Sequence, residues 1–150
     1  MLDIRMFRDH ADVIRADYDK RGIPHDSIDA VISLDEAWRK SQYDADQLRR
    51  KRNEAARGIA AAKKAGDEEA FALIKSEVDS IASEIEKLGV KAEQLQTERD
   101  AIRMSVPNIL HESVPAGNDE EGNTQHSMHG MKPEFSFDPR THNELIEMNK

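Results

Sequence analysis

Apolar residues recur at alternating steps of three and four along most of the chain. One run extends from position 31 to position 62, and a second from position 74 to position 102. An apolar period of about 3.5 residues sustained over such a length is the sequence form of a coiled-coil seam. Gly66 and Asp67 lie between the runs, and these residue types end one helix and begin the next. The pattern predicts a long antiparallel hairpin that turns at about residues 65–67.

The whole chain is predicted to be all-α, apart from its last part. A short amphipathic helix over residues 3–21, capped by Asp3 and ended by Gly22, precedes the hairpin. The first long helix is predicted from about residue 28 to residue 65. The second is predicted from about residue 68 to residue 104, where Pro107 stops it. Each arm has about 36 residues and is therefore roughly 55 Å long.

The seam contains polar and small residues that an all-aliphatic coiled coil would lack. Arg52 and Arg99 occupy seam positions. With the turn at Gly66, facing positions add up to about 133, so Arg99 faces Leu34 and can reach Asp35 or Glu36. Two glycines inside the helices, Gly58 and Gly89, each cost about 1 kcal/mol relative to alanine. They either make the hairpin bendable or are simply tolerated.

The amino-acid composition and the periodicity of the chain change after residue 106. Residues 107–150 hold four of the five prolines and the polar stretch GNDEEGN. The segment EFSFD alternates as an edge strand does, and THNELIEMNK restarts a helical pattern. We therefore predict an N-terminal helical domain over residues 1–106. Residues 107–150 are predicted to be an irregular tail with one short strand, at the entry to another domain. This tail is expected to be either poorly packed or held by contacts with a neighbouring molecule.

Composition excludes some classes of protein and hides an uneven distribution of charge. No apolar stretch approaches the length of a membrane span, and the first residues carry charges where a signal peptide needs an apolar segment. The lack of cysteine fits a reducing cytoplasm. Net charge is −8, yet residues 49–64 contain seven Lys or Arg and one Glu. This distribution predicts that residues 49–64 form a basic surface on an otherwise acidic protein.

Three of these basic residues lie on the side of the first long helix that faces away from the seam. They are Arg50, Arg57 and Lys64, they recur at heptad spacing, and they form a row about 21 Å long that we call the stripe. Arg49 and Lys63 flank it on one side. A straight row of cations suits a phosphate backbone, and the lack of stacking aromatics favours a duplex over a single strand. The alternative is a solvated face of a coiled coil that binds only protein.

Other candidate chemistry is weak. His111, His126 and His129 lie in a polar, glycine-rich segment without cysteine, so no metal site is predicted. No nucleophile, phosphate-binding loop or oxyanion site is visible, so no catalytic residue is predicted. Trp38 lies at a seam position and is predicted to belong to the core rather than to a recognition surface.

The chain resembles the N-terminal region of the seryl-tRNA synthetases, a family of class II aminoacyl-tRNA synthetases. The opening MLDIRMFRDHADVIR is similar to the family's first helix, and KKAGD to its hairpin tip. The family's LR..RN element falls on Leu48, Arg49, Arg52 and Asn53. The most specific stretch is SVPNILHESVPAGNDEEGN, similar to the family's link into the catalytic domain, and G..PEFSFDP resembles the start of that domain. His129 departs from the family, which often has tryptophan there.

The resemblance implies a function. The family's arm grips the long variable arm of serine tRNA by shape and backbone, without reading the anticodon. The parent enzyme is implied to be a cytoplasmic homodimer that attaches serine using ATP and Mg²⁺, and its dimer contacts lie mainly in the catalytic domain. This sequence contains none of the class II motifs that bind ATP and serine, so the 150 residues are expected to be catalytically inert. The candidate tRNA-binding residues are Arg49, Arg50, Arg52, Asn53, Arg57, Lys63 and Lys64.

Overall fold

A computed structural model describes residues 1–117 and 119–149. Its regular secondary structure within these residues is entirely helical, with no β-strand. The helices are α1 (Ile4–Asp9), α2 (Ala11–Arg21), α3 (Asp26–Ala65), α4 (Glu68–Ser105) and α5 (His142–Met148), with one 3₁₀ turn at Glu120–Gly122. The all-α prediction is confirmed. Asn118, in the predicted polar loop, and Lys150, at the end of the predicted terminal helix, lie outside the described residues.

The two long helices form the predicted antiparallel hairpin, and its turn has a specific geometry. Gly66 has φ of 72°, the left-handed conformation that glycine adopts most easily. The N–H of Asp67 donates to the carbonyl of Ala62 at 3.1 Å, which closes the Schellman arrangement that ends α3. The Asp67 side chain then accepts from the N–H of Ala70 at 2.9 Å and caps α4. One residue pair therefore ends one helix and begins the next, as the sequence predicts.

The predicted seam lies between the two helices along their whole length. Every seam position of both runs is buried or half-buried, and the stripe is exposed. A methyl group placed on Gly58 would lie 3.2 Å from Cδ1 of Ile74, so these two residues face each other closely. At the other end, Asp35 on α3 bonds to Arg99 on α4. The register predicted from the turn is confirmed at both ends.

The N-terminal segment differs from the prediction of one helix over residues 3–21. The helix is interrupted at His10, whose φ and ψ of −140° and 38° are not helical. The break allows α1 and α2 each to pack against α3. Asp3 caps α1 and Gly22 ends α2 with φ of 64°, as predicted. These helices form a core at the base of the hairpin, far from its tip, from Phe7, Ile14, Tyr18, Ile28, Val31 and Val106.

The tail divides into an attached part and an exposed part. Asp17 on α2 is only 5% exposed, and its carboxylate accepts from the N–H of Leu110 at 2.7 Å. Arg21 donates to the carbonyl of Asn108 at 2.7 Å, and the N–H of Gly117 donates to the carbonyl of Lys20. Residues 108–117 are therefore held along α2, against the expectation of poor packing, because a buried carboxylate needs donors.

Residues 119–149 fit the expectation of poor packing, because every side chain among them is exposed. The segment EFSFD forms no strand, so the prediction of a short strand is wrong for the described residues. Phe135 and Phe137 instead contact each other, with ring centroids 5.3 Å apart. An isolated extended segment lacks a neighbouring strand to satisfy its backbone groups. The domain boundary at residue 106 stays a prediction.

Candidate nucleic-acid interface

The candidate site lies on the tip half of the hairpin, on an uninterrupted stretch of α3. Arg50, Arg57 and Lys64 are all exposed. Because α3 continues without a break to Ala65, the heptad spacing of the stripe places the three cations along one line about 21 Å long. A rigid helix fixes the separation of the Cα atoms, while the long side chains adjust to a partner.

The remaining predicted residues take different positions around this line. Arg49, Asn53 and Lys63 are exposed, and Arg52 is half-buried at the seam. Arg49 donates to the carboxylate of Asp46, three residues earlier on the same helix. The fold therefore places six of the seven predicted residues on the surface. Their assignment to tRNA stays a prediction.

The three cations of the stripe and Lys63 form no ion pair with the residues that the structure describes. Within residues 1–117 and 119–149, no carboxylate lies within 4.0 Å of the charged groups of Arg50, Arg57, Lys63 or Lys64. Closer to the base, Lys40 lies 3.4 Å from Asp44 on the same helix. The positive potential of α3 is therefore concentrated toward the tip, where unpaired cations attract a polyanion most strongly.

The base of the hairpin carries a cluster of charges that orients the arm. Asp35 is 1% exposed and accepts from Arg8 at 2.7 and 2.8 Å, so α1 is tied to α3. Arg99 donates to the same carboxylate at 2.9 Å from α4, and Arg39 donates at 3.1 Å. One carboxylate therefore joins three helices. We call these four residues the Asp35 cluster.

Two opposing effects set the pKa of Asp35. Burial alone would raise the pKa of this carboxyl, but the hydrogen bonds and positive charges of Arg8 and Arg99 outweigh burial and hold its pKa below the ordinary value. The hydrogen bond to Asp35 raises the pKa of Arg8. Asp35 and Arg8 are therefore both charged at neutral pH. Their ion pair ties α1 to α3 at the base of the hairpin.

Of the three arginines that contact Asp35, the sequence predicted one and missed two. Arg99 was predicted to reach Asp35 or Glu36, and it donates to Asp35. Arg39 follows Asp35 by four residues, a spacing that brings two side chains together on a helix and could have been noticed. Arg8 lies 27 residues away on another helix, and no local spacing indicates that contact.

Trp38 lies at the seam, at the base of the hairpin. Trp38 is half-buried, and the guanidinium of Arg99 lies 5.1 Å from the centre of its ring, in the range of a cation–π contact. It thus supports the base and lies away from the stripe. Among the described residues, no group of three or more His, Cys, Asp or Glu side chains is placed to hold a metal ion. None of the described helices combines the length and the apolar character of a membrane span.

A known family model matches most of the chain. Residues 1–110 match the family model described as the seryl-tRNA synthetase N-terminal domain. A serine–tRNA ligase of Desulfotalea psychrophila is 33% identical over 150 residues, covering 98% of this chain and 35% of the relative. A serine–tRNA ligase of Desulfosudis oleivorans is 37% identical over 149 residues, covering 98% of this chain and 34% of the relative. The chain thus spans about a third of the length of the curated relatives it matches.

Solved structures show the same architecture. Seryl-tRNA synthetase from Pyrococcus horikoshii, complexed with ATP, superposes with a TM-score of 0.71 and 31% identity, over 81% of this chain and 27% of that one. Cytoplasmic serine-tRNA ligase from Naegleria fowleri, in complex with AMP, superposes with a TM-score of 0.75 over 94% of this chain and 37% of that one. At 22% identity, the second likeness supports the fold alone.

Proposed function

Because the chain belongs to the seryl-tRNA synthetase N-terminal domain family, we propose that its hairpin is a tRNA-binding arm that holds the long variable arm of serine tRNA. The observation that carries the proposal is the stripe on the tip half of α3, whose cations are exposed and pair with no carboxylate in the described part of the chain. Membership of the family does not favour the alternative of a coiled coil that binds only protein.

The mechanism of binding follows from the electrostatics of the arm. Each lysine or arginine that neutralises a phosphate releases a condensed counterion, so affinity falls steeply as salt rises. A row about 21 Å long spans several successive phosphates of a helical RNA stem. Between residues 49 and 85 the only aromatic residue is Phe71, which is half-buried. Base stacking is therefore a minor contribution, and the arm recognises the shape and backbone of a duplex.

The catalytic role belongs to the longer protein. We propose that the whole protein is a cytoplasmic, homodimeric serine–tRNA ligase that uses ATP and Mg²⁺. We also propose that residues 1–150 carry no step of the chemistry, since their sequence has no motif for ATP or serine. The division into a tRNA-binding domain (residues 1–106) and the beginning of the catalytic domain (residues 107–150) belongs to the same proposal. Serine-dependent pyrophosphate exchange is expected to be absent from the purified 150-residue chain, and measurable exchange would contradict its inert role.

Binding to two classes of tRNA tests the function. We expect the chain to bind a serine tRNA with a long variable arm in a strongly salt-dependent manner. A tRNA with a short variable arm is the matched control, because it offers the same phosphates elsewhere and lacks the extra stem. Equal affinity for the two at all salt concentrations would contradict recognition of the variable arm, and no binding to either would contradict the function.

A further inference from the structure

The tip half of the hairpin has two flanks, one on each side of the seam. In an antiparallel pair of helices, each flank combines residues of both helices, and a rotation of about 100° per residue assigns each residue to a flank. We consider residues 49–64 of α3 and the facing residues 69–84 of α4. The close approach of Gly58 and Ile74 fixes their register. The first flank, which we call the basic flank, consists of Arg49, Asn53, Ala56, Ala60, Lys63, Ala72, Lys75, Asp79 and Ala82.

The opposite flank carries the opposite charge, and we call it the acidic flank. Its members are Lys51, Glu54, Gly58, Ala61, Ala70, Leu73, Glu77, Ser80 and Glu84. It holds one cation against three carboxylates, whereas the basic flank holds three cations against one carboxylate. The stripe lies between the two flanks on α3 and adjoins both. Both helices contribute to this difference, because α3 supplies two of the three cations of the basic flank and α4 supplies two of the three carboxylates of the acidic flank.

Lys75 is the contribution of α4 to the basic flank. It is exposed, and its ammonium has no carboxylate within 4.0 Å in the described part of the chain, although Asp79 lies one turn further along. Its position places it level with Arg57 and Gly58 across the seam. The surface between the cations of this flank consists of exposed alanines, which allow a phosphate backbone to come close to the helices.

We infer that the RNA duplex lies against the basic flank and the stripe together, and that Lys75 is a further tRNA-binding residue. This inference rests on the proposed function and adds the side of approach. A duplex on the acidic flank would bring its phosphates close to Glu77 and Glu84, and that like-charge contact is repulsive. A duplex on the basic flank meets cations from both helices. The RNA therefore contacts α4 as well as α3.

Single cysteines test the side of approach, because the chain has no cysteine of its own. Ala82→Cys and Ser80→Cys lie two residues apart on α4, are both exposed, and belong to the basic and the acidic flank respectively. Each variant carries a thiol-linked photo-crosslinker and is irradiated with a serine tRNA. We expect a crosslink yield at position 82 several-fold above that at position 80. Equal yields, or a higher yield at position 80, would overturn the inference.

Charge reversal tests Lys75 separately. Lys75→Glu should weaken binding of the same tRNA about fivefold at moderate salt, because it removes one phosphate contact and adds a repulsive charge. Lys91→Glu is the matched control, since it makes the same change at an exposed position of α4 on the side of the acidic flank. It should change affinity less than twofold. Equal effects of the two variants would overturn the role of Lys75.

The failures of the two proposals are distinguishable. If the unmodified chain does not bind serine tRNA, the proposed function fails and the inference fails with it. If the chain binds and changes in the stripe weaken binding, while positions 80 and 82 crosslink alike and both charge reversals act alike, only the inference on the side of approach fails.

Discussion

Replacing Asp35 by asparagine should strongly destabilise the base of the arm. The carboxylate is 1% exposed and is the acceptor for three arginines, of which Arg99 is itself only 7% exposed. An asparagine has nearly the same size but no charge. The substitution removes one of the two carboxylates that pair with the guanidinium of Arg99, since Asp100 also lies 3.0 Å from it. It also leaves the positive charges of Arg8 and Arg39 close by without the negative charge that compensates them.

The magnitude follows from the cost of removing one member of a buried ion pair, which is typically about 3–5 kcal/mol. Because Asp100 still pairs with Arg99, the lower end of this range applies. For a chain of this size, each kcal/mol lowers the melting temperature by roughly 3–5 °C. The Asp35→Asn variant should therefore melt about 9–15 °C below the unmodified chain.

Thermal and urea unfolding followed by circular dichroism at 222 nm give the measurement. Asp29→Asn is the control, because Asp29 also pairs with an arginine, Arg15, but at an exposed position, where ion pairs contribute little. The control should melt within a few degrees of the unmodified chain. Equal melting temperatures for the Asp35 variant and the unmodified chain would refute the reasoning that the Asp35 cluster holds the base together.

Three further predictions concern the pKa of Asp35, the two glycines inside the long helices, and Asp17. The pKa of Asp35 is lower in the folded state than in the unfolded state. The stability that the ionised carboxylate contributes is therefore complete above about pH 4 and is lost as pH falls through the folded pKa. Between about pH 5 and pH 2, the free energy of unfolding should fall less in Asp35→Asn than in the unmodified chain. Gly89→Ala should stabilise the hairpin by about 1 kcal/mol in urea unfolding, because a methyl group there meets no atom within 4 Å, whereas Gly58→Ala should gain less, because its methyl group would lie 3.2 Å from Ile74. Asp17→Leu should release residues 108–117 from α2, which would be seen as faster hydrogen exchange at the N–H of Leu110. Asp17→Asn keeps an oxygen that accepts from this N–H and should keep most of the protection.

The hairpin could be predicted from the sequence because its determinants are local and periodic. The seam repeats along each helix, and the turn depends on two adjacent residues, Gly66 and Asp67. Facing positions then follow from the turn alone, which is why the contact between Arg99 and Asp35 could be predicted 64 residues apart. The position of the stripe on α3 follows in the same way from the helical period.

The contacts that attach α1 and the tail to the rest of the chain could not be predicted, because they join segments that have no common period. Arg8 reaches Asp35 only because the chain breaks at His10, and no residue type there signals a break. The attachment of Leu110 to Asp17 depends on an irregular segment folding back on α2. The predicted strand EFSFD shows the opposite error, since alternation is local but a strand also needs a neighbour.

The affinity of the stripe variant for serine tRNA as a function of salt tests the central claim most directly. Arg50, Arg57 and Lys64 are changed together to alanine, and because all three are exposed and face away from the seam, each change should alter stability by less than about 0.5 kcal/mol. We expect weaker binding and a smaller slope of log affinity against log salt, reduced by up to about 0.9 for each phosphate contact that is lost. A variant that folds normally and binds serine tRNA with unchanged affinity and an unchanged slope would contradict the claim that the stripe grips the tRNA backbone.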